Sequence, residues 1–533
     1  MGADKEMMKI PRFGLFEQSC HHTGSYDNPY KELMATVQLT EPNGKTTRSI
    51  PLFWDGDTIW KLRFSPDKVG TWKWSVQSDN PGLNRQSGSF NVVDSQNRGG
   101  IRPMAGYPYH FERQNGEPFW FMGETGWALY TDNQAKNHTR TAVEEYIDTR
   151  ARQGFNVIHS MLISESGWGN SGGDAFVDLK TEKINPEYWQ EADERLIYLN
   201  RRGITGGLVL AWADKRVNPN DWREFPSQEA RLRYARYVTA RYSAFDVYFV
   251  VAGEWNADVR NAKGLSENQI RSDYIAIGNT IKQSDPHGRM IAIHPFGNDS
   301  VREFAQQPWM GFGDYQQMYR HLHDEILASR RFDKPVVNAE YAYYLRDADC
   351  DGQVDKPNSF DLQSMRHATW DIAMACGYFI TGFGTTYFGG YRNPGPFDVN
   401  AVQNDDWEEQ IQHVKRLFSE LEWWRLRPYD EFITAQIERD EDRSRQVKQR
   451  EVVLPPKITY WVLAEPGRQY LAYVRGHAGL FKLSLGERGN GTYHLRQFDP
   501  RTGEFINFGT RQCKGFLEYT PPDERDWVLV VEK

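Results

Sequence analysis

Residues 247–256, VYFVVAGEWN, run apolar for the length of one strand and then stop on a carboxylate, a tryptophan and an amide. A second run, residues 335–344, PVVNAEYAYY, closes in the same way on a glutamate beside an aromatic. A strand apolar along both faces must be covered on both, as parallel strands are in α/β folds, and a charge at its C-terminal end belongs at the open mouth of a barrel. Glu254 and Glu340 are therefore the two positions around which the rest of the chain is read.

Strand-length runs and helical-period segments alternate on either side of them. PFWFMGETGW (118–127) reads as a strand, TRTAVEEYIDTRARQG (139–154) as a helix opened by Thr, NVIHSMLI as the second strand and PEYWQEADERLIYLNRRG as its helix. ITGGLVLAW, the Glu254 run, RMIAIHP, WMGFGDYQ, the Glu340 run and YFITGFGTTYFGG supply six further strands. Eight strand–helix units in about 310 residues are the count for a (β/α)8 TIM barrel, in which Glu254 ends the fourth strand and Glu340 the seventh, so that both reach one face.

Outside this region the period changes from helical to two. ATVQLT, TIWKLRFS, TWKWSVQS and GSFNVV, separated by turn clusters such as EPNG and SPDKVG, predict an N-terminal β-sandwich over residues 1–98. ITYWVLAEP, YLAYVRG, LFKLSL and WVLVVEK predict a second over 429–533, leaving 99–428 for the barrel. Trp54, Trp60, Trp72 and Trp74 are read as core and edge packing in preference to a sugar-binding face, and the mixed-charge run ERDEDRSRQVKQRE (438–451) as a solvated loop.

Composition narrows the partners. The net charge is −8 and no basic block occurs, which argues against nucleic acid. No apolar window has the length of a membrane span and the first residues have no signal-peptide core, so a cytoplasmic place is expected, or a periplasmic or secreted one if a leader was removed. Cys20, Cys350, Cys376 and Cys513 fit neither a metal nor a disulfide framework and are read as free thiols.

Two carboxyl groups converging on one point are what cleavage of a glycosidic bond requires, one protonated to assist the leaving oxygen and one ionised to attack or to activate water. Around the pair, Trp127, Trp212, Asp214, Trp255, Asn256, His294, Tyr315, Tyr341 and Tyr387 fall at or just past strand ends. Asn256 and His294 are expected to bond sugar hydroxyls, Trp212 and Trp255 to stack beneath a ring, and Tyr315 to orient the Glu340 carboxylate. Glu124, at the end of the first strand, is expected to bind a substrate hydroxyl. SESGWGNSGGD (164–174) is too rich in Gly and Ser for a helix, and presents Trp168 either on an active-site loop or on an ordinary surface loop.

These motifs resemble those of the apiosidase-like glycoside hydrolases. FWFMGETGWALY, YIDTRARQGFNVIHSML, IHPFGNDS and KPVVNAEY carry the resemblance through the barrel, NPYKELMATV and FWDGDTIWKLRFSPDKVGTWKW match the immunoglobulin-like module found ahead of such barrels, and QFDPRTGEFINFG resembles the C-terminal sandwich appended to them, for which sugar or collagen binding has been supposed. The resemblance implies a retaining glycosidase with Glu254 as acid/base, Glu340 as nucleophile and no cofactor, acting on oligosaccharides or polysaccharide fragments. Close relatives carry Asp where Glu254 and Glu124 stand here, an EP dipeptide at Glu340-Tyr341, and QSGH where this chain reads YQQM (315–318), so apiose specificity does not follow.

Two other readings stand beside this one: a non-catalytic carbohydrate-binding barrel and a metal-dependent barrel hydrolase. The latter would carry a His-x-His pair on its first strand, where this chain has GETGW. DADCDGQVD (347–355) has the spacing of a calcium loop through Asp347, Asp349, Asp351 and Asp355, but Asn358 stands where the bidentate Glu would be, and a solvated acidic loop is the expectation.

Overall fold

The computed structural model describes residues 7–134, 138–164, 167–213, 219–297, 299–317, 322–341, 362–382, 404–440, 443–447, 450–454 and 456–533. At its centre eight parallel strands follow one another around a barrel: Met122–Thr125, Val157–Met161, Thr205–Val209, Val247–Val250, Ile291–Ala292, Gly313–Gln316, Val336–Tyr341 and Tyr378–Thr381. The first strand pairs with both the second and the eighth. Between the fifth and sixth the ring is joined by the Ile291–Met310 bridge, with the Gly311 N–H donating to the Ile291 carbonyl at 2.8 Å. This is the TIM barrel expected from the alternating runs.

Helices cover the outside. Arg140–Arg152 begins where the Thr139 side chain accepts from the Ala142 N–H, and Pro186–Arg201 begins with Asn185 as cap and proline in its first turn, so each start satisfies a backbone donor that no helical carbonyl can reach. Gln228–Tyr242, Glu267–Ser284, Leu322–Ser329, Leu362–Met374 and Asn404–Ser419 complete the set, and the fifth unit carries the 3-10 turn Arg302–Phe304 in place of a helix. Inside, Phe111, delivered by the strand Tyr107–Arg113, packs against Phe121 and Phe312, and Phe121 and Phe312 in turn pack against Tyr248. Together these rings make a dry aromatic floor. No helix among the described residues is long and apolar enough to cross a membrane.

The N-terminal module is a five-stranded sheet over a three-stranded one, closed on Val37, Leu39, Leu62, Trp72 and Phe90. Trp60, Trp72 and Trp74 are buried in it and Trp54 is half-buried, so these tryptophans pack. The C-terminal module is a six-stranded sheet over a three-stranded one. In front of it the run read as a solvated loop forms an antiparallel hairpin, Arg443–Val447 with Arg450–Leu454; charge does not prevent a backbone ladder, and the second strand contains the β-branched pair of REVVL. Cys20, Cys376 and Cys513 are buried free thiols.

Both modules share their cores with the barrel. Tyr30 and Phe53 belong to the cluster between the barrel strands and their helices, while Leu471, Tyr473 and Val528 continue the cluster that contains Trp370 and Ile411. Buried charges fix the contacts. Asp193 accepts from Arg63 and Arg241 at 2.7 Å each on the N-terminal side, and Arg475 clasps Asp371 at 2.7 and 2.9 Å on the other. Removing one partner of such a pair leaves an uncompensated buried charge. Asp371→Asn is therefore expected to lower stability by about 3–5 kcal/mol, read as a drop in the urea midpoint; an unchanged midpoint would show that the pair contributes nothing across this interface.

Candidate active site

The ladder between the fourth and fifth strands continues past their ends, with His294 N–H donating to the Ala252 carbonyl and Trp255 N–H to that of His294. Within this extension Glu254 adopts φ +49°, a left-handed conformation that costs a side-chain-bearing residue free energy and persists only where the surroundings hold it. Trp212 helps to hold it, its indole N–H donating to Glu254 Oε2 at 3.0 Å. Gly253 makes room, because a Cβ there would lie 2.2 Å from the same indole.

Opposite stands Glu340, on the seventh strand. His294 Nε2 meets its Oε2 at 3.1 Å, and the other ring nitrogen meets Asp314 Oδ1 at 3.0 Å. Burial alone would favour the neutral ring, but the carboxylates of Asp314 and Glu340 outweigh it and push the His294 imidazole up to about 10, so it is a cation that donates to both. Burial likewise raises Asp314 to about 6, against the pull of that cation. Glu340 is 2% exposed, Glu254 6% and His294 0%, so the attraction acts with little solvent screening.

Gln316 joins the two glutamates. Its amide nitrogen donates to Glu340 Oε2 at 2.7 Å and to Glu254 Oε1 at 3.3 Å, so these two oxygens can be no more than 6.0 Å apart. Trp127 closes one side of the site, its ring 5.1 Å from Trp212 at 87° and 5.3 Å from His159. His159, held neutral by burial and by the neighbouring His294 charge, sits 3.3 Å from the Tyr248 hydroxyl above the aromatic floor.

Several expected residues face elsewhere, and for those on the strands alternation is the reason. Neighbouring side chains on a strand point to opposite faces, so with Asp314 and Gln316 turned into the barrel, Tyr315 between them points out, lining a cavity with Val301, Met310 and Phe332. Gln316 and His294, rather than Tyr315, orient Glu340. Glu124 pairs in register with outward-facing Ile158; its carboxylate is buried against Arg150 and accepts from the Tyr146 hydroxyl at 2.9 Å, which makes it a tie between strand and helix instead of a ligand for a sugar hydroxyl. Trp255 packs edge-on against Phe304 in the outer layer instead of lying beneath a sugar ring. Tyr341 bonds the Thr369 hydroxyl at 2.6 Å, and Asn256 braces the backbone of Phe296 through both its amide atoms. Trp168 is half-buried, 6.1 Å from the His138 ring, in a loop pinned by Asn170 to the carbonyls of Tyr130 and Tyr188. Asp214, Tyr387 and the acidic loop of Asp347, Asp349, Asp351 and Asp355 lie outside the described residues. Gln316, Asp314 and His159 went unread in the sequence, although the alternation of GDYQ around Tyr315 carried the signal for two of them.

A closed parallel barrel with one glutamate past its fourth strand and another on its seventh, held within reach of each other, is the frame of a glycoside hydrolase. Residues 108–425 match the family model described as "Apiosidase-like, catalytic domain", and the chain belongs to that family and is a glycosidase. Residues 9–79 match a domain of unknown function, and 459–532 the "Putative collagen-binding domain of a collagenase". Among solved structures, a "putative glycoside hydrolase" from Bacteroides vulgatus ATCC 8482 superposes with TM-score 0.74 at 17% identity, covering 98% of this chain and 99% of the other. A glycoside hydrolase family 5 structure from the same organism gives 0.63 at 16% identity, covering 82% and 93%, and a chain described as "Glycoside hydrolase" gives 0.62 at 16%, covering 81% and 97%. At these identities the likeness is one of fold. No curated protein matches the sequence.

Asp314 supplies the largest of the attractions that hold the His294 charge. Asp314→Asn is expected to lower the His294 pKa from about 10 by one unit or more, followed by nitrogen NMR of the imidazole across a pH titration. A ring that still titrates near its original value would mean that Asp314 is not what charges it.

Proposed function

We propose that this protein hydrolyses O-glycosidic bonds of oligosaccharides or polysaccharide fragments with retention of anomeric configuration, Glu340 serving as nucleophile and Glu254 as acid/base. The shared Gln316 amide carries the reading. A pair that attacks the anomeric carbon directly needs its carboxyls about 5–5.5 Å apart, whereas a pair that admits water between them needs about 6.5–9.5 Å. Two facing oxygens bounded at 6.0 Å favour the shorter arrangement.

The chemistry runs in two displacements. Glu340 attacks the anomeric carbon as its bond to the leaving oxygen breaks, and the proton of Glu254 passes to that oxygen. Glu254, now a carboxylate, takes a proton from water while the water oxygen bonds to the same carbon and Glu340 is released. His294 supports the first step by keeping its positive charge beside Glu340. Trp127 and Trp212, crossed at 87°, form an apolar wall beside the pair.

Glu254→Gln and Glu340→Gln are each expected to lower turnover of natural glycosides by several orders of magnitude in a folded protein, because each removes an interaction made in the transition state. Aryl glycosides with good leaving groups should partly restore Glu254→Gln and leave Glu340→Gln inactive. Proton NMR of the product before mutarotation is expected to show the starting anomer; the opposite anomer would mean that Glu340 activates water.

A further inference from the structure

We propose that Gln316 is a positioning residue that fixes the spacing of the two glutamates and draws both toward their ionised forms, a role that rests on reading Glu254 as acid/base and Glu340 as nucleophile. The side chain is 1% exposed and stands on the sixth strand, between the two carboxylates in space. An amide nitrogen carries two hydrogens, and contacts at 2.7 and 3.3 Å commit one to each glutamate. Its carbonyl oxygen is buried with no hydrogen-bond partner, so the amide's own acceptor goes unmet while its donors face the two carboxylates. The reverse orientation would set that oxygen against both carboxylates.

A hydrogen bond donated to a carboxylate favours its charged form. The shorter contact falls on Glu340, which must stay ionised until it attacks, and the longer on Glu254, which gains and loses a proton in each turnover. When Glu254 has given its proton to the leaving oxygen, the Gln316 N–H receives the new carboxylate; when Glu254 takes a proton from water, that contact is the one released. Among the described residues, the other ionisable groups at the pair are His294, past the fifth strand, and Asp314, on the sixth, with His159 and Tyr248 of the second and fourth strands behind His294. All remain when Gln316 alone is changed.

Gln316→Met keeps the length of the side chain and removes the N–H donors. In the pH dependence of kcat/KM on a 4-nitrophenyl glycoside turned over by the wild type, the acid limb reports ionisation of Glu340 and the basic limb loss of the Glu254 proton. Both limbs are expected to move to higher pH, by about half a unit to one unit, with kcat lower by about 10–100-fold. A loss of packing would lower the rate without carrying both limbs the same way. A profile that stays in place, or a limb that moves to lower pH, overturns the proposal. Should the Met variant fail to fold, Gln316→Glu sets a third carboxylate against the pair and is expected to raise both limbs further, an unshifted profile again overturning the role. Glu340→Gln on the same substrate keeps the two readings apart. If it retains turnover, the catalytic assignment fails; if it is inactive while Gln316→Met keeps the wild-type profile, only the positioning role fails.

Discussion

Three carboxylates, Glu254, Glu340 and Asp314, share a space at the barrel mouth from which water is nearly excluded. A buried carboxylate without partners would take up a proton or drive the site open, so the fold must supply positive charge and donors at fixed places. The His294 cation stands between Asp314 and Glu340, the Gln316 amide between Glu340 and Glu254, and the Trp212 indole on the far side of Glu254. Each donor comes from a different strand or strand end. Closure of the barrel is therefore what brings them together, and the aromatic floor of Phe111, Phe121, Tyr248 and Phe312 beneath keeps their surroundings poor in solvent.

The same network accounts for the backbone at Glu254. A left-handed glutamate is unfavourable by itself, and the strand ladder that runs on through His294 and Trp255 leaves it little alternative. Trp212 reaches over Gly253 to bond the carboxylate, so the glycine before the glutamate and the tryptophan at the end of the preceding strand act as one device. The motif AGEW is in that sense a statement about the neighbouring strand as well as its own.

What could be read from the chain was whatever depends on pattern alone. Apolar runs of strand length alternating with helical periods gave the barrel, and a glutamate at the end of two such runs gave Glu254 and Glu340. What could not be read was which of two adjacent polar residues turns inward. Tyr315 and Glu124 each stand beside a polar residue that faces the other way, Gln316 and Thr125, and a shift of one residue reverses the face. Thr125 pairs with inward-facing His159, so the register that settles the first strand is visible only once the sheet has formed. Trp255 was misplaced for a related reason, because the strand regularity ends before it and no period carries the alternation across the left-handed residue.

The flanking modules are tied to this frame. Helix Leu362–Met374 follows the Glu340 strand in sequence, and through the Thr369 hydroxyl it meets Tyr341, the residue next to Glu340. Its other face belongs to the C-terminal sandwich: Arg366 forks onto Asp526 with both contacts at 2.7 Å, Asp371 receives Arg475 and the Trp461 indole, and Trp370 lies parallel to Tyr473 at 5.3 Å. Charge-assisted forks of this kind are directional and, when buried, poorly exchanged for water. The helix thus has one face set by the sandwich and one contact beside Glu340, so the sandwich bounds how far that helix can shift and with it the packing behind that residue.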